Sequence, residues 1–441
     1  MKRLLSLLLC AVLALFCATT VQAAGVSITL TASEYALHYA FDAGAQDPFV
    51  ILEYTTPAEK GWMMLYSADG HFEGDVSLAY SGAGGKTSVT LTSARTTGSI
   101  GKASTTLPKA ADYQKPTGKS NAKVTDFVLT ETPEGFHYAF NAIGTDYRLL
   151  YWRSKEQTVT QPVYPDENGH YEGDVISDLT FARTQFTVQV KSGSGSMKKE
   201  ATVRKGYQAP EAPQRQEGRL SGVTVCIDAG HQENGRFVNE PIGPGLSGST
   251  SGKGGMAQGT KTNRRESIVC LEIGMLLRDE LLRQGANVIM TREDQTTFHT
   301  NIERCEIAEA GGAQIMLRLH CNNSSNRSKR GIQVYGPLNS DYAKAVADAD
   351  TYREMGQKLL DAMKMRVGMT LANSTGMVRL NDNYVGNNWA KMMCFLVEMG
   401  YLSNPAEEYL LVTPVYQQWL AEGMADGVYE IAVARGWVQA Q

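Results

Sequence analysis

The chain has 441 residues, room for about three domains of ordinary size. Its 42% hydrophobic and 20% charged residues lie close to globular averages, which excludes a disordered chain and a membrane protein of many spans. Lys and Arg number 42 against 46 Asp and Glu, a net charge of −4, so no whole-chain positive field draws in a phosphate backbone and nucleic acid is not an expected partner.

The first segment reads as an address. Lys2 and Arg3 precede the apolar run LLSLLLCAVLALFC, and small residues follow, so a secretory signal cleaved after Ala23 is expected. Thr19, Thr20 and Gln22 interrupt the run before the roughly 20 apolar residues that a membrane span needs. Phe16 before Cys17 does not suit a lipid-attachment site, so no membrane anchor is expected after cleavage. Removal of the leader leaves 40 basic against 46 acidic side chains, a charge of −6. Of seven cysteines, Cys10 and Cys17 leave with it; Cys226, Cys270, Cys305, Cys321 and Cys394 form an odd, scattered set and read as small buried residues, not a disulfide framework.

Two blocks then recur at an offset of 99 residues: HYAFDA from His38 returns as HYAFNA from His137, and GHFEGDV from Gly70 as GHYEGDV from Gly169. Alternating apolar stretches such as VSITL, YALHYAF, VILEY and FTVQV carry a period of two residues. Each copy is expected to fold as a small β-sandwich, with Trp62 and Trp152 packed in its core. Pro-rich polar stretches around them read as linkers. From Val223 short apolar strands alternate with amphipathic helices; Val269, Ile273, Leu276, Leu277 and Leu281 recur at helical spacing, Gly285 marks a stop and Asn287–Thr291 reads as a strand. The Gly- and Ser-rich stretch between His231 and Arg265 reads as a surface loop. The expected architecture is multidomain: a leader 1–23, sandwich-like all-β repeats at 24–107 and 122–204, linkers 108–121 and 205–220, and an α/β domain at 221–441 with an open, mostly parallel sheet.

Three apolar strands run into groups that bind metals or move protons: VTVCIDAG into His231, IMLRL into His320 and CFLV into Glu398. Ligands of open α/β sheets sit at the carboxyl ends of the strands, so these side chains should converge. Glu266 opens the following helix on its sheet-facing side, three residues before Val269, and should face the same crevice. Two imidazoles and a carboxylate leave a fourth zinc position open to water, as catalytic zinc requires. His231, Glu266 and His320 are therefore the expected ligands, and Glu398 the general base. His299 reads as a solvated loop residue and Cys321 as buried and structural; Arg292 and Arg304 could pair with acids such as Asp228 or meet a substrate carboxylate, and the structural role is the expected one for both.

With IDAGHQ around His231, EPIGPG from Glu240, the helix-opening Glu266, RLHCNN around His320, GIQVYG from Gly331 and VEMGYLSNPAEE from Val397, the region from about Gly222 to Trp437 resembles the zinc-dependent N-acetylmuramoyl-L-alanine amidases of the amidase-3 family. The resemblance implies zinc on His231, Glu266 and His320, Glu398 as the catalytic carboxylate, and peptidoglycan as substrate, cut between N-acetylmuramic acid and the L-alanine of the stem peptide. Another zinc-dependent wall peptidase, or a wall-binding protein with an inactive domain of this kind, is the alternative. The protein is expected in the periplasm, the cell wall or the exterior. The repeats lie outside the resemblance and before every proposed ligand, so they are expected to hold a wall or protein ligand and to stay out of catalysis.

Overall fold

The computed structural model describes the chain outside residues 1–17, 23–25, 35, 59, 79–80, 97, 112–122, 133–134, 144–147, 154–157, 164–165, 167, 177–183, 193–196, 206–209, 233–237, 251–254, 369–376 and 441. The charged and apolar part of the expected leader thus lies outside the described residues. Among those described, no helix is long and apolar enough to cross a membrane.

The first β unit contains β1 (Ala18–Gln22), β2 (Ser27–Ser33), β3 (Ala36–Asp42), β4 (Phe49–Thr55), β5 (Lys60–Tyr66), β6 (His71–Ser77), β7 (Gly85–Ser93) and β8 (Ser99–Leu107). Its two sheets have the orders β1-β2-β3-β6 and β5-β4-β7-β8. Alternation does the folding: Leu37, Tyr39 and Phe41 of β3 point inward to Val50, Leu52, Val89 and Leu91 of the other sheet, while His38, Ala40 and Asp42 point out. Strand β1 lies within the expected leader, and cleavage after Ala23 would remove it.

The second β unit contains β9 (Lys123–Thr132), β10 (Gly135–Ile143), β11 (Arg148–Arg153), β12 (Thr158–Val163), β13 (His170–Ile176), β14 (Thr184–Ser192) and β15 (Met197–Lys205). Its sheets run β13-β10-β9 and β12-β11-β14-β15, around Phe136, Phe140, Leu150, Phe186 and Val188.

The third domain follows as β16 (Thr224–Ala229), β17 (Glu240–Pro241), β18 (Ser249–Thr250), α1 (Glu266–Arg283), β19 (Asn287–Met290), α2 (Asn301–Ala310), β20 (Ile315–Asn322), β21 (Gln333–Gly336), α3 (Asp341–Val346), α4 (Ala349–Val367), β22 (Met377–Leu380), α5 (Val385–Trp389), β23 (Met393–Tyr401), α6 (Glu407–Leu411) and α7 (Pro414–Ala434). Its sheet is ordered β19-β16-β20-β23-β21-β22. Every pairing is parallel except that of β21 with β23, so the sheet is mixed and mostly parallel. Successive side chains leave a strand on opposite faces. Val225, Ile227, Leu317, Leu319, Phe395 and Val397 pack with α1, α4 and α7, whereas Cys226, Met316 and Cys394 pack with Cys305 and Ala308 of α2. All five cysteines described are free and buried.

The first β unit does not stand apart from this domain, and here the sequence expectation is corrected. Phe49 and Ala94 belong to the core of the third domain. The Phe49 ring lies 5.9 Å from Tyr416 and 5.2 Å from Trp419, and Tyr66 lies 5.3 Å from Trp419. Trp62, expected inside its own sandwich, faces the other way and sits 4.2 Å from the Tyr409 ring. Ile51 and Met64 pack with Ala406 and Tyr409. Arg330 donates hydrogen bonds to the carbonyls of Arg95 and Ala94. Phe49 to Leu52 are consequently buried on both faces of β4, which is why that strand is a continuous apolar run. The side chain of Trp152 lies outside the described residues.

Candidate metal centre and catalytic carboxylate

Strands β16, β20 and β23 lie side by side and end at one edge, and that edge gathers the four expected residues. His320 is the register partner of Glu398 across the β20–β23 pair. His231 follows β16 and adopts a left-handed backbone (φ +56°), uncommon for a residue with a side chain. Two arginines clamp the carbonyls of this turn. Arg292 donates to Ala229 (2.7 Å) and Gly230 (2.8 Å), and Arg304 to Ala229 (2.9 Å) and His231 (3.2 Å). Gly230 must be glycine, because a Cβ there would lie 2.6 Å from Cε1 of the His320 ring.

Glu266, the first residue of α1, is 3% exposed and stands between the two imidazoles. One carboxylate oxygen lies 3.1 Å from His231 Nε2, and the other lies 3.0 Å from His320 Nδ1. The carboxylate also accepts the backbone N–H groups of Ala257 (2.7 Å) and Cys321 (3.0 Å). Burial opposes its ionisation, but the hydrogen bonds with His231 and His320 overcome that and hold its carboxyl well below the usual range. Burial in turn pulls the His320 imidazole below its ordinary value, which favours the neutral ring that a metal needs. The loop leading to Glu266 is anchored by Glu408, which accepts the N–H groups of Lys261 (2.9 Å) and Thr262 (3.2 Å).

The residues fit a metal ion on an observation independent of their type. Ligand atoms of His231, Glu266 and His320 lie within 4.8 Å of one another, the one such group among the described residues. Nε2 of His320 is buried without a hydrogen-bond partner, as is Oε2 of Glu398 beside it. A polar atom buried and unpaired is costly, so both await a group that the protein does not supply. Two imidazoles and one carboxylate are a donor set suited to zinc. Burial, then the charge of Glu266, push the Glu398 carboxyl up to about 8. That places a proton-exchanging group beside the cluster near neutral pH.

Below this edge, Asp228 is fully buried between Arg304 and Arg318, whose Nε lies 2.9 Å away. Burial works against its ionisation, yet the two arginines and the Thr291 hydroxyl outweigh it and keep the carboxyl well below its ordinary range. Arg304 thus pairs with Asp228 as expected, whereas Arg292 bonds only carbonyls in the contacts described above. The four site residues open into a cavity of about 520 Å³ lined also by Glu240, Asn301, Arg318 and Tyr384. His299 borders it too, half-buried instead of solvated. Sequence reasoning assigned no role to Glu240, which accepts from Asn301 Nδ2 (2.6 Å) and Ile302 N–H (2.8 Å) and so caps α2 at the cavity wall. Its acidic type, a few residues after a strand-end His, was the available signal. Nothing in the sequence pattern marked Asn301 or Tyr384, which sit at a helix start and in a loop.

Residues 225–430 match the amidase-3 family, described as N-acetylmuramoyl-L-alanine amidase. The germination-specific N-acetylmuramoyl-L-alanine amidase of Bacillus subtilis is 26% identical over 231 residues, 49% of this chain and 83% of that protein. The protein named "Probable cell wall amidase LytH" of Staphylococcus aureus is 27% identical over 218 residues, 48% of this chain and 60% of that protein. The crystal structure of the amidase Ami1 of Mycobacterium smegmatis, 16% identical, aligns with a TM-score of 0.42 over 49% of this chain and 100% of that one. Residues 225–430 of this chain thus form an amidase-3 domain.

Proposed function

We propose that the protein is an exported peptidoglycan hydrolase that cleaves the amide between the lactyl group of N-acetylmuramic acid and the L-alanine of the stem peptide. The observation that carries this reading is the cluster of His231, Glu266 and His320 with Glu398 beside it, at the sheet edge of an amidase-3 domain. Zinc held by those three ligands would supply the positive charge that polarises the scissile carbonyl and acidifies the attacking water. Glu398 takes the proton of that water and returns it to the leaving nitrogen, which departs as a free amine. Its raised affinity for protons suits both halves of that transfer. Glu266 holds the two imidazoles in place, and the Arg292 and Arg304 clamps fix the turn that carries His231.

The two β units are, in this proposal, repeats that hold the enzyme on the wall or on a protein partner; their shared blocks at an offset of 99 residues support it. The leader-like start of the chain supports export. Digestion of purified peptidoglycan with mass analysis of the products tests the reaction. Free stem peptides that begin with L-alanine are expected. Cleavage within the stem peptide would make the protein a wall peptidase instead, and zinc binding without any product would make it a wall-binding protein.

A further inference from the structure

Arg318 stands two positions before His320 on β20, so both side chains leave the same face of the strand, with their α-carbons about 7 Å apart. Leu319 between them turns the other way, into the core beneath α1. Two of the three guanidinium nitrogens are held. Nε donates to Asp228 Oδ2 (2.9 Å) and Nη2 to Asn301 Oδ1 (2.6 Å). Nη1 has no acceptor among the described residues, nor is it one of the partnerless nitrogens sealed in the core. It therefore opens to the cavity that Arg318 lines beside His320 and Glu398.

The group is rigid before anything binds. A Cβ on Gly386 would collide with Cζ and Nη1, so the α5 backbone lies directly against the guanidinium, and glycine permits that approach. Asn301 is fixed in turn, since its Nδ2 donates to Glu240 (2.6 Å). A side chain only 4% exposed and gripped in this way has little freedom left to lose on binding. Charge sets what it binds. Arg304 and Arg318 share the single carboxylate of Asp228, and Glu240 reaches Arg318 only through the neutral Asn301 amide. The cavity wall thus presents an aimed N–H with positive charge behind it, which favours a carboxylate over a neutral carbonyl.

We propose that Arg318 is a specificity-determining residue, binding through Nη1 the free carboxylate of the stem residue that follows L-alanine. The proposal rests on the amidase reading above. That second stem residue is a glutamate joined onward through its side-chain carboxyl, so the chain leaves its α-carboxyl free, either ionised or capped as an amide. With the scissile amide held at His320 and Glu398, the L-alanine α-carbon adjoins the leaving nitrogen, and the next α-carbon lies about 3.8 Å further on. Its carboxylate follows by one more bond, a span that matches the offset of Arg318 from His320. Amidation of that carboxyl removes the charge that Arg318 meets, so Arg318 sets the enzyme's preference between amidated and unamidated walls.

The test compares two muramyl tetrapeptides that differ only in this group, one the free acid and one the amide, cleaved by the zinc-loaded full-length protein. Wild type should prefer the acid by about 10–100-fold in kcat/KM, the scale of a hydrogen bond to a charged group. Calorimetry on the metal-free protein should give the same order in Kd, read without turnover. Arg318→Gln, which keeps a polar group but no charge, should bring the ratio close to one, chiefly by slowing cleavage of the acid. Arg318→Lys should keep part of it, because its one nitrogen is drawn to Asp228. The ratio is read within one protein, so lost stability lowers both rates and leaves it unmoved. Equal cleavage of the two substrates by wild type overturns the proposal while leaving the amidase reading intact, as does a preference undiminished in either variant. Cleavage of neither substrate by wild type overturns the amidase reading, and this proposal with it.

Discussion

His320 and Glu398 stand opposite each other in the parallel β20–β23 register, and each presents a buried polar atom with no partner. The pairing brings the proposed ligand His320 and the proposed base Glu398 together at the ends of adjacent strands, with Glu266 reaching His320 from the start of α1. Their separate roles are distinguishable by substitution.

His320→Ala should lower the metal content by one equivalent. Glu266→Ala should do the same and also destabilise the fold, because the N–H groups of Ala257 and Cys321 lose their acceptor, at about 1–3 kcal/mol for each. Metal analysis after dialysis reads the first effect and urea unfolding the second. Retention of that equivalent by both variants would remove these residues from the ligand set.

Glu398→Gln should keep the metal and lose activity by about a hundredfold or more, the usual scale for a general base. Activity within tenfold of wild type would place the base elsewhere.

The same group sets a pH dependence of the metal-free protein. Its carboxyl titrates near 4.5 when unfolded and is pushed up to about 8 when folded, so between these values the folded state holds the extra proton. Stability should be fullest below about pH 4.5 for this group and fall as pH rises through 8. Glu407, buried and raised to about 7, adds the same sign over a narrower window. Melting temperature against pH should be flatter in Glu398→Gln, and an unchanged slope would contradict the burial argument.

Asp228→Asn removes the charge that Arg304 and Arg318 share, leaving two buried cations underpaired, at a cost of about 3–5 kcal/mol. Because Arg304 also clamps the His231 carbonyl, zinc affinity should weaken by about 10–100-fold. Unfolding and zinc titration measure the two effects, and unchanged affinity would show that the clamp does not position the ligand.

The seam between the first β unit and the third domain predicts that the amidase domain does not tolerate isolation. A chain starting near Glu217 exposes the surface that Phe49, Trp62 and Tyr66 cover on Tyr409, Tyr416 and Trp419. In the full chain Phe49→Ala should cost about 3–5 kcal/mol, as for other buried aromatic truncations. Equal melting temperatures for the full and shortened chains would contradict this.

The centre was legible because strands that end in His, His and Glu bring their termini to one edge of a parallel sheet, and helix periodicity turns Glu266 inward. The seam was not. The run Phe49–Leu52 signals burial on both faces, but the residues that cover its outer face lie more than 350 positions further on, and periodicity carries no information about them. Tyr384 and Asn301 were equally silent, since loops and helix starts place side chains without a repeat.

The central claim is tested most directly by incubating purified peptidoglycan with the zinc-loaded full-length protein and identifying the released products by mass. The account predicts stem peptides with a free L-alanine amino terminus and glycan strands with an intact lactyl carboxylate. Glycan strands that keep L-alanine while shorter peptides are released would contradict it.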